Sequence, residues 1–358
     1  MKIRQHKLAF SNRVRQVCGV FSRRAWPVAA VLVVPSVCQA QAQGVQIYGL
    51  VDSYLGSTKL SGASHSTVGV EGGGMQTSFW GLAGTEDLGA GLRANFRLEG
   101  YLQPDTGIGG RNPTDGLFAR NAYVGLEHQR FGEVRLGRLG NPLFLASGLY
   151  DAFAFSTKLS PFNNMLWTPA EGRYVAGDTV WSNAVGYYSP DFGGFSFRGL
   201  YSLGEQSGTN ASNNAGGMLL YDRGPFSAAF GIQRTRVGPG LPTGSWAQTA
   251  MLGGVSYDFS VVKLMATYAH TSTSGASTLT DTAQIGATVP VGNGKFLLSL
   301  ASSRVRSDVM KDYRRHAVSG GYDYAFSKRT DVYGAVMFDK ITGTGSGTTF
   351  AAGIRHKF

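Results

Sequence analysis

From residue 45 onward the chain is written in period two. Across Leu92–Leu102, Leu92, Ala94, Phe96 and Leu98 fall on one face of an extended segment, and Arg93, Asn95, Arg97 and Glu99 on the other. Val45, Ile47, Gly49 and Val51 likewise oppose Gln46, Tyr48 and Asp52. Successive side chains of a strand point to opposite faces, so the alternation specifies strands with one apolar and one polar surface. Sixteen such segments can be marked, the second over 75–86 and the last over 347–358. No stretch of ordinary length shows helical periodicity. Nothing after residue 44 offers 18 consecutive apolar residues, which excludes a helical membrane protein.

Clusters of Gly, Asn, Asp, Ser and Pro separate the segments, and their lengths alternate. Short connections such as 87–90, 129–131 and 223–224 are interleaved with long ones centred near 65, 110, 160, 210, 241, 276, 309 and 344. A soluble β-sandwich or propeller also strings short strands together. Neither requires that alternation, nor an apolar face opposite a charged one on nearly every strand. A membrane barrel requires an apolar outer face, because Arg or Lys at the bilayer midplane costs roughly 2–4 kcal/mol, and it has short turns at one rim. Closing the sheet leaves no unpaired edge in lipid. The pattern therefore specifies an all-β fold, a 16-stranded antiparallel transmembrane β-barrel. Eight-stranded barrels are filled by their own side chains, whereas sixteen strands leave an aqueous channel.

Residues 1–42 form a different unit. Seven bases, Lys2, Arg4, Lys7, Arg13, Arg15, Arg23 and Arg24, precede an apolar run from Ala25 to Val34 and the small-residue site Ala40-Gln41-Ala42. A basic n-region, an apolar h-region and an A-x-A site predict a secretory signal, with cleavage after Ala42 or after Ala40. The expected organisation is a removed signal over 1–42 and a barrel over 43–358. Both cysteines, Cys18 and Cys38, lie in the removed segment, so the remainder is neither a disulfide scaffold nor a thiolate metal site. The formal charge of +11 also changes meaning. Seven of the 33 bases and none of the 22 acids leave, so 26 bases stand against 22 acids, a net charge of about +4. The remaining bases alternate with acids rather than cluster, which argues against a nucleic-acid partner.

Several segments carry a family likeness: Ile47–Asp52 (IYGLVD), Gly84–Leu92 (GTEDLGAGL), Asn121–Leu126 (NAYVGL), Leu136-Gly137-Arg138, Tyr187–Phe197 (YYSPDFGGFSF), Ser327–Asp331 (SKRTD) and Gly353–Phe358 (GIRHKF). Together, in order and spacing, the chain resembles the general outer-membrane porins of β-proteobacterial type over nearly all of residues 43–358. The resemblance implies a homotrimer in the outer membrane of a Gram-negative bacterium. It implies that the loop from Gly140 to Asp178, by far the longest, is a third loop that folds into the lumen and narrows it. It also implies that the last strand, where Phe350, Ile354 and the terminal Phe358 share a face with Ala352 and His356, is a signal read by the outer-membrane insertion machinery.

The loop holds Phe144, Leu149, Tyr150, Phe153, Phe155, Phe162 and Trp167, too many large apolar groups for a solvated linker, and the acids Asp151, Glu171 and Asp178. Strands 3–5 supply Arg93, Arg97, Arg120, Arg135 and Arg138. Bases facing loop acids set a transverse field and an ion preference, although some of these arginines could instead neutralise the lumen acids Glu99 and Glu133. The sequence departs from the family where Phe79 follows Ser78, and where Val180 and Trp181 precede Asn183; a base is common at both places. That leaves anion against cation preference open.

Enzyme readings find little support. There is no G-x-S-x-G, Walker A, G-x-G-x-x-G or H-E-x-x-H pattern. The histidines after the signal, His65, His128, His270, His316 and His356, lack metal-ligand spacing. No cofactor or metal is expected. The expected function is passive diffusion of small hydrophilic solutes and ions, filtered by size and charge. The alternatives are a substrate-specific channel, an outer-membrane hydrolase using His270, and a loop-based adhesin.

Overall fold

The computed structural model of the chain describes residues 44–168, 174–204 and 213–358. The expected signal over 1–42 and Glu171 lie outside the described residues. The elements run β1 (Gln46–Lys59), β2 (Thr67–Gly72), β3 (Phe79–Gly89), β4 (Leu92–Tyr101), β5 (Asn121–His128), β6 (Gly132–Gly140), α1 (Pro142–Leu149), α2 (Pro161–Trp167), β7 (Val180–Tyr188) and β8 (Phe195–Ser202). There follow β9 (Asn214–Arg223), β10 (Phe226–Thr235), β11 (Ala247–Asp258), β12 (Lys263–Ser274), β13 (Thr278–Val291), β14 (Gly294–Ser307), β15 (Tyr313–Ala325), β16 (Thr330–Ile341) and β17 (Ser346–Lys357).

Sequential strands pair antiparallel, and β17 returns to β1 in a ladder from Leu50↔Lys357 to Lys59↔Thr348. The sheet is thus closed. Seventeen strands occupy sixteen places, because β1 pairs with β2 through Ser53–Thr58 and with β3 through Gln46–Leu50. The expected second strand over 75–86 is therefore corrected: residues 73–78 leave the ladder, and β2 precedes them. The break is built from Gly72-Gly73-Gly74, where Gly73 sits at φ +77° and a side chain on Gly74 would meet the Tyr333 hydroxyl at 2.1 Å.

Asp52 fills the gap. Its carboxylate accepts from the Met75 and Gln76 amides at 2.9 and 2.8 Å and from the Tyr333 hydroxyl at 2.6 Å. Its own amide donates to Ser78 Oγ at 2.9 Å. A side chain thus supplies acceptors for backbone that the ladder no longer serves.

On the long-loop side, the expected long connection near 276 is only Gly275–Ser277, because β12 and β13 extend to 12 and 14 residues. The links over 308–312 and 342–345 are similarly brief, so the length alternation is strong only in the first half of the barrel.

The two faces separate as the alternation requires. Phe230 is 54% exposed and its neighbour Ala229 7%, and Phe197, Leu219, Val255, Ile285 and Phe338 also point outward. Such an apolar belt on a closed sheet is stable only against lipid. Toward the short turns the outward face becomes aromatic, with ring pairs Phe195–Tyr221, Tyr257–Phe259 and Phe296–Tyr322 at 4.5–4.7 Å, as at a membrane–water boundary. At the seam the Phe358 amide donates to Gly49 O and Phe358 O accepts from the Gly49 amide. Phe350, Ile354 and Phe358 face outward, each about half exposed. Glycine is required at position 49, where a Cβ would lie 2.5 Å from Phe79 O and 2.6 Å from the Phe358 ring.

The long loop rests on the face opposite the belt. Leu143 and Ala146 of α1 pack with Met218, Ala229, Ala250 and Leu252, and Phe162, Met165 and Leu166 of α2 with Ala301, Val305 and Ala317. Asn141 Nδ2 donates to Gln233 Oε1 at 2.8 Å, and Arg315 donates to Asn164 Oδ1 at 2.8 Å. The helices contrast with the strand-only expectation. Each begins on a capping side chain followed by proline: Asn141 Oδ1 accepts from the Leu143 amide and Ser160 Oγ from the Asn163 amide.

Replacing Asp52 by Ala orphans the buried Met75 amide, at about 1–3 kcal/mol for a buried donor left unmatched, and the half-buried Gln76 amide at less. The midpoint for heat-induced loss of the folded barrel, followed by gel mobility or near-ultraviolet dichroism, should fall by several degrees. An unchanged midpoint would remove Asp52 from the barrel's support.

Candidate channel constriction

Inward positions on β4, β6 and β8, with the residue that leads into β5, gather the arginines. Arg97 on β4, Arg120 just before β5, Arg135 on β6 and Arg198 on β8 line one cavity of about 340 Å³, closed on its other side by Pro142, Phe144, Leu145 and Phe155 of the loop. Each guanidinium rests on an aromatic ring: Arg97 on Tyr48 at 5.7 Å, Arg120 on Phe79 at 3.9 Å, Arg135 on Tyr188 at 4.1 Å and on Tyr123 at 4.6 Å, and Arg198 on Tyr188 at 5.7 Å. Stacking stiffens long side chains that would otherwise sweep a channel.

Two acids stand behind them. Glu99 is 1% exposed and accepts from Arg120, Asn121 and Tyr48, with Arg97 at 3.7 Å. Glu133 accepts from Arg135 at 2.6 and 2.7 Å and from Asn95 at 2.9 Å. Both carboxylates are consumed by these bonds. Four lining cations against two acids behind them leave a local excess of about two positive charges.

A second cavity of about 710 Å³ adjoins the first, sharing Thr77, Tyr101, Phe144 and Phe155. Here acids outnumber bases, with Glu71, Asp105, Asp115 and Asp178 lining it beside Arg111 and Lys158. Arg111 holds both Asp115 and Asp178, Arg138 reaches Asp178 at 3.0 Å, and Lys158 holds Glu71 at 2.9 Å. Burial alone would raise the Asp178 pKa, but hydrogen bonds and charge from Arg111, with Arg138, hold it below the usual carboxylate range.

Of the residues singled out from the sequence, Arg97, Arg120 and Arg135 come together. Arg138 instead ties β6 to the loop, donating to Ala119 O, Ser182 Oγ and Asp178. Arg93 sits near the short-turn end, in register with Asp87 and Glu127, four residues and about 13 Å of strand from Arg97. Asp151 presents no charge to the gap: it is 5% exposed, accepting from the Phe153 amide at 2.7 Å and the Ser160 hydroxyl at 2.6 Å. Sequence reasoning missed Arg198 and the aromatic shelf. The alternation that puts Phe195 and Phe197 outward places Arg198 inward, so the signal was present. Phe79, where a base is common in the family, carries the Arg120 guanidinium.

A closed barrel with an apolar outer belt and a charge-lined interior defines a transmembrane β-barrel channel. The profile of the Gram-negative porin family matches residues 28–344, and the chain belongs to that family. It is 35% identical over 322 residues to the outer membrane porin protein 32 of Delftia acidovorans, covering 87% of this chain and 88% of that one. An outer membrane porin of Bordetella pertussis is 28% identical, with 92% and 99% covered. Among solved structures, the anion-selective porin from Comamonas acidovorans superposes with a TM-score of 0.74 at 32% identity, covering 88% and 99%. The chain is an outer-membrane porin, a channel for passive diffusion.

Burial pushes the Asp151 carboxyl up to about 7, against the Ser160 and Phe153 hydrogen bonds that lower it. A folded-state pKa raised above the unfolded one near 3.9 means the folded loop binds the extra proton, so its stability declines as pH rises from about 4 to 7. Asp151→Asn should abolish that decline: open-channel noise in bilayer recordings would match the parent at pH 4 and be quieter at pH 8. Identical noise at both pH values would show that this carboxyl does not govern the loop.

Proposed function

We propose that the channel prefers small hydrophilic anions, selected where the loop from Gly140 to Asp178 narrows the lumen against Arg97, Arg120, Arg135 and Arg198. The carrying observation is that these four cations line one gap while the loop's Asp151 is sequestered. Rings of positive side chains favour anions in a pore. The Comamonas acidovorans relative, which is anion-selective, supports the same sign. The belt of Phe350, Ile354 and Phe358 at the seam suits a signal read by the insertion machinery, and residues 1–42 suit an export signal. A homotrimer fits a solved fold relative from Vibrio cholerae in trimer form, which at 14% identity and a TM-score of 0.66 speaks for the fold alone. The same fold favours a channel over the hydrolase reading, and His270 points to the outward face.

Replacing Arg97, Arg135 and Arg198 together by Gln should move the reversal potential under a tenfold salt gradient toward cation preference. Arg93→Gln should leave it where it was. Equal selectivity in the triple variant, or an equal shift from Arg93→Gln, would refute the assignment of the filter to this cavity.

A further inference from the structure

The gap in front of the arginines has two unlike walls. On the barrel side, two of the four guanidiniums are committed to acids: Arg135 gives Nε and Nη2 to Glu133, and Arg120 gives Nη1 to Glu99. The other two keep free donors. Arg97 meets Glu99 only at 3.7 Å, and Arg198 makes no ion pair among the described residues. On the loop side the gap meets Pro142, Phe144, Leu145 and Phe155. Asn141, the polar side chain on that side, gives its amide to Gln233 and accepts from the Leu143 amide. The loop side chains described there leave no donor or acceptor facing the guanidiniums.

A hydrated inorganic anion is served by only one of these walls. Water that it sheds toward the arginines is replaced by N–H donors, whereas water that it sheds toward the loop is replaced by nothing. An anion with an apolar body satisfies both. Its planar carboxylate matches the guanidinium fork, and a flat ring beside that carboxylate buries against Phe144 and Phe155. The loop rings are already arranged as a cluster. Phe144 lies 5.6 Å from Phe155 and 5.3 Å, edge to face, from Trp167. Trp167 lines the adjoining cavity, which also contains Phe144 and Phe155, so the rings run from that cavity into the gap. The gap's volume of about 340 Å³ suits a solute of one ring.

We propose that the constriction retains planar aromatic carboxylates, single-ring monoanions of the benzoate type, in preference to inorganic and small aliphatic anions. The carboxylate takes the free donors of Arg97 and Arg198, and the ring lies against Phe144 and Phe155. The inference rests on the anion preference proposed above and names the solute class that the same gap holds longest. The adjoining cavity supports a single charge. Its acids Glu71, Asp105, Asp115 and Asp178 outnumber Arg111 and Lys158, so a multiply charged anion approaching from the long-loop side is repelled more than a monoanion. The aromatic cluster offers that monoanion contact before it reaches the arginines.

The test is single-channel recording of the folded porin in a planar bilayer, first under a potassium chloride gradient and then with benzoate, acetate or benzyl alcohol added. The gradient reads the anion preference by itself. Benzoate should interrupt the chloride current, with a half-blocking concentration roughly tenfold below that of acetate, as expected for burying one ring. Benzyl alcohol, which has the ring without the charge, should not interrupt it. Phe144→Leu/Phe155→Leu should bring benzoate to within roughly threefold of acetate, and Arg97→Gln/Arg198→Gln should weaken block by both carboxylates. If the double Phe variant fails to insert, Phe155→Leu alone should still lower the benzoate-to-acetate ratio. Anion preference with equal block by benzoate and acetate would overturn this inference and leave the selectivity standing, whereas cation preference in the gradient would remove both. Equal block by benzyl alcohol, or an unchanged benzoate-to-acetate ratio in the Phe variants, would also overturn it.

Discussion

Everything in this molecule follows from one constraint: backbone amides and carbonyls facing hydrocarbon have no water to turn to. A sheet meets that demand only by closing. The β1–β17 ladder from Leu50↔Lys357 to Lys59↔Thr348 does so here. Closure in turn makes any break in a strand expensive, and the barrel tolerates one between β2 and β3 because Asp52 takes over the acceptor role for the Met75 and Gln76 amides. The same carboxylate receives the Tyr333 hydroxyl from β16. The break and the closing seam are thus held by one side chain.

Closure also leaves an interior too wide for wall side chains to fill, and the long loop occupies part of it. Its inner surface is apolar where it meets β9–β15, and its polar groups are spent on anchoring, as with Asn141 on Gln233 and Asn164 on Arg315. What it turns toward the arginines is Pro142, Phe144, Leu145 and Phe155. Among the described residues the charge at the gap therefore comes from one wall, with these loop side chains as a low-dielectric counterface that strengthens its field.

Much of this was legible in the sequence, because alternation is a direct imprint of lipid on one face and water on the other. It located the strands to within a few residues and put Arg97, Arg120 and Arg135 inside. It failed where the determinant is not periodic. The run Gly72-Gly73-Gly74 has no side chains to pattern, so the break was not visible, and the six residues of β2 before it are too few for an alternation to stand out. Asp151 reads as a loop acid free to face the lumen, and only the fold reveals that Ser160, nine residues on, reaches back to its carboxylate. The helices were announced by Asn141-Pro142 and Ser160-Pro161, but each is too short for a 3.6-residue period to show. Phe79 reads as a missing base, whereas in three dimensions it is the ring beneath Arg120. The Tyr48, Tyr123 and Tyr188 shelf comes from three strands distant in sequence, so no local pattern joins it.

The net charge of about +4 left after the first 42 residues is a poor guide to any of this. In a barrel, a shift of one residue moves a side chain from water-filled lumen to lipid. Arg314 and Arg315 are adjacent, yet Arg315 is buried inside, bonded to Asp339 at 2.9 Å, while Arg314 stands outside facing Arg304. Asp339 and Lys340 divide the same way. An inward cation acts on permeating ions and must be balanced by acids such as Glu99 and Glu133. An outward one faces the membrane, where a neighbour of the same parity can balance it, as Asp281 does Arg306. The sign of a residue in this chain acquires meaning from the parity of its position.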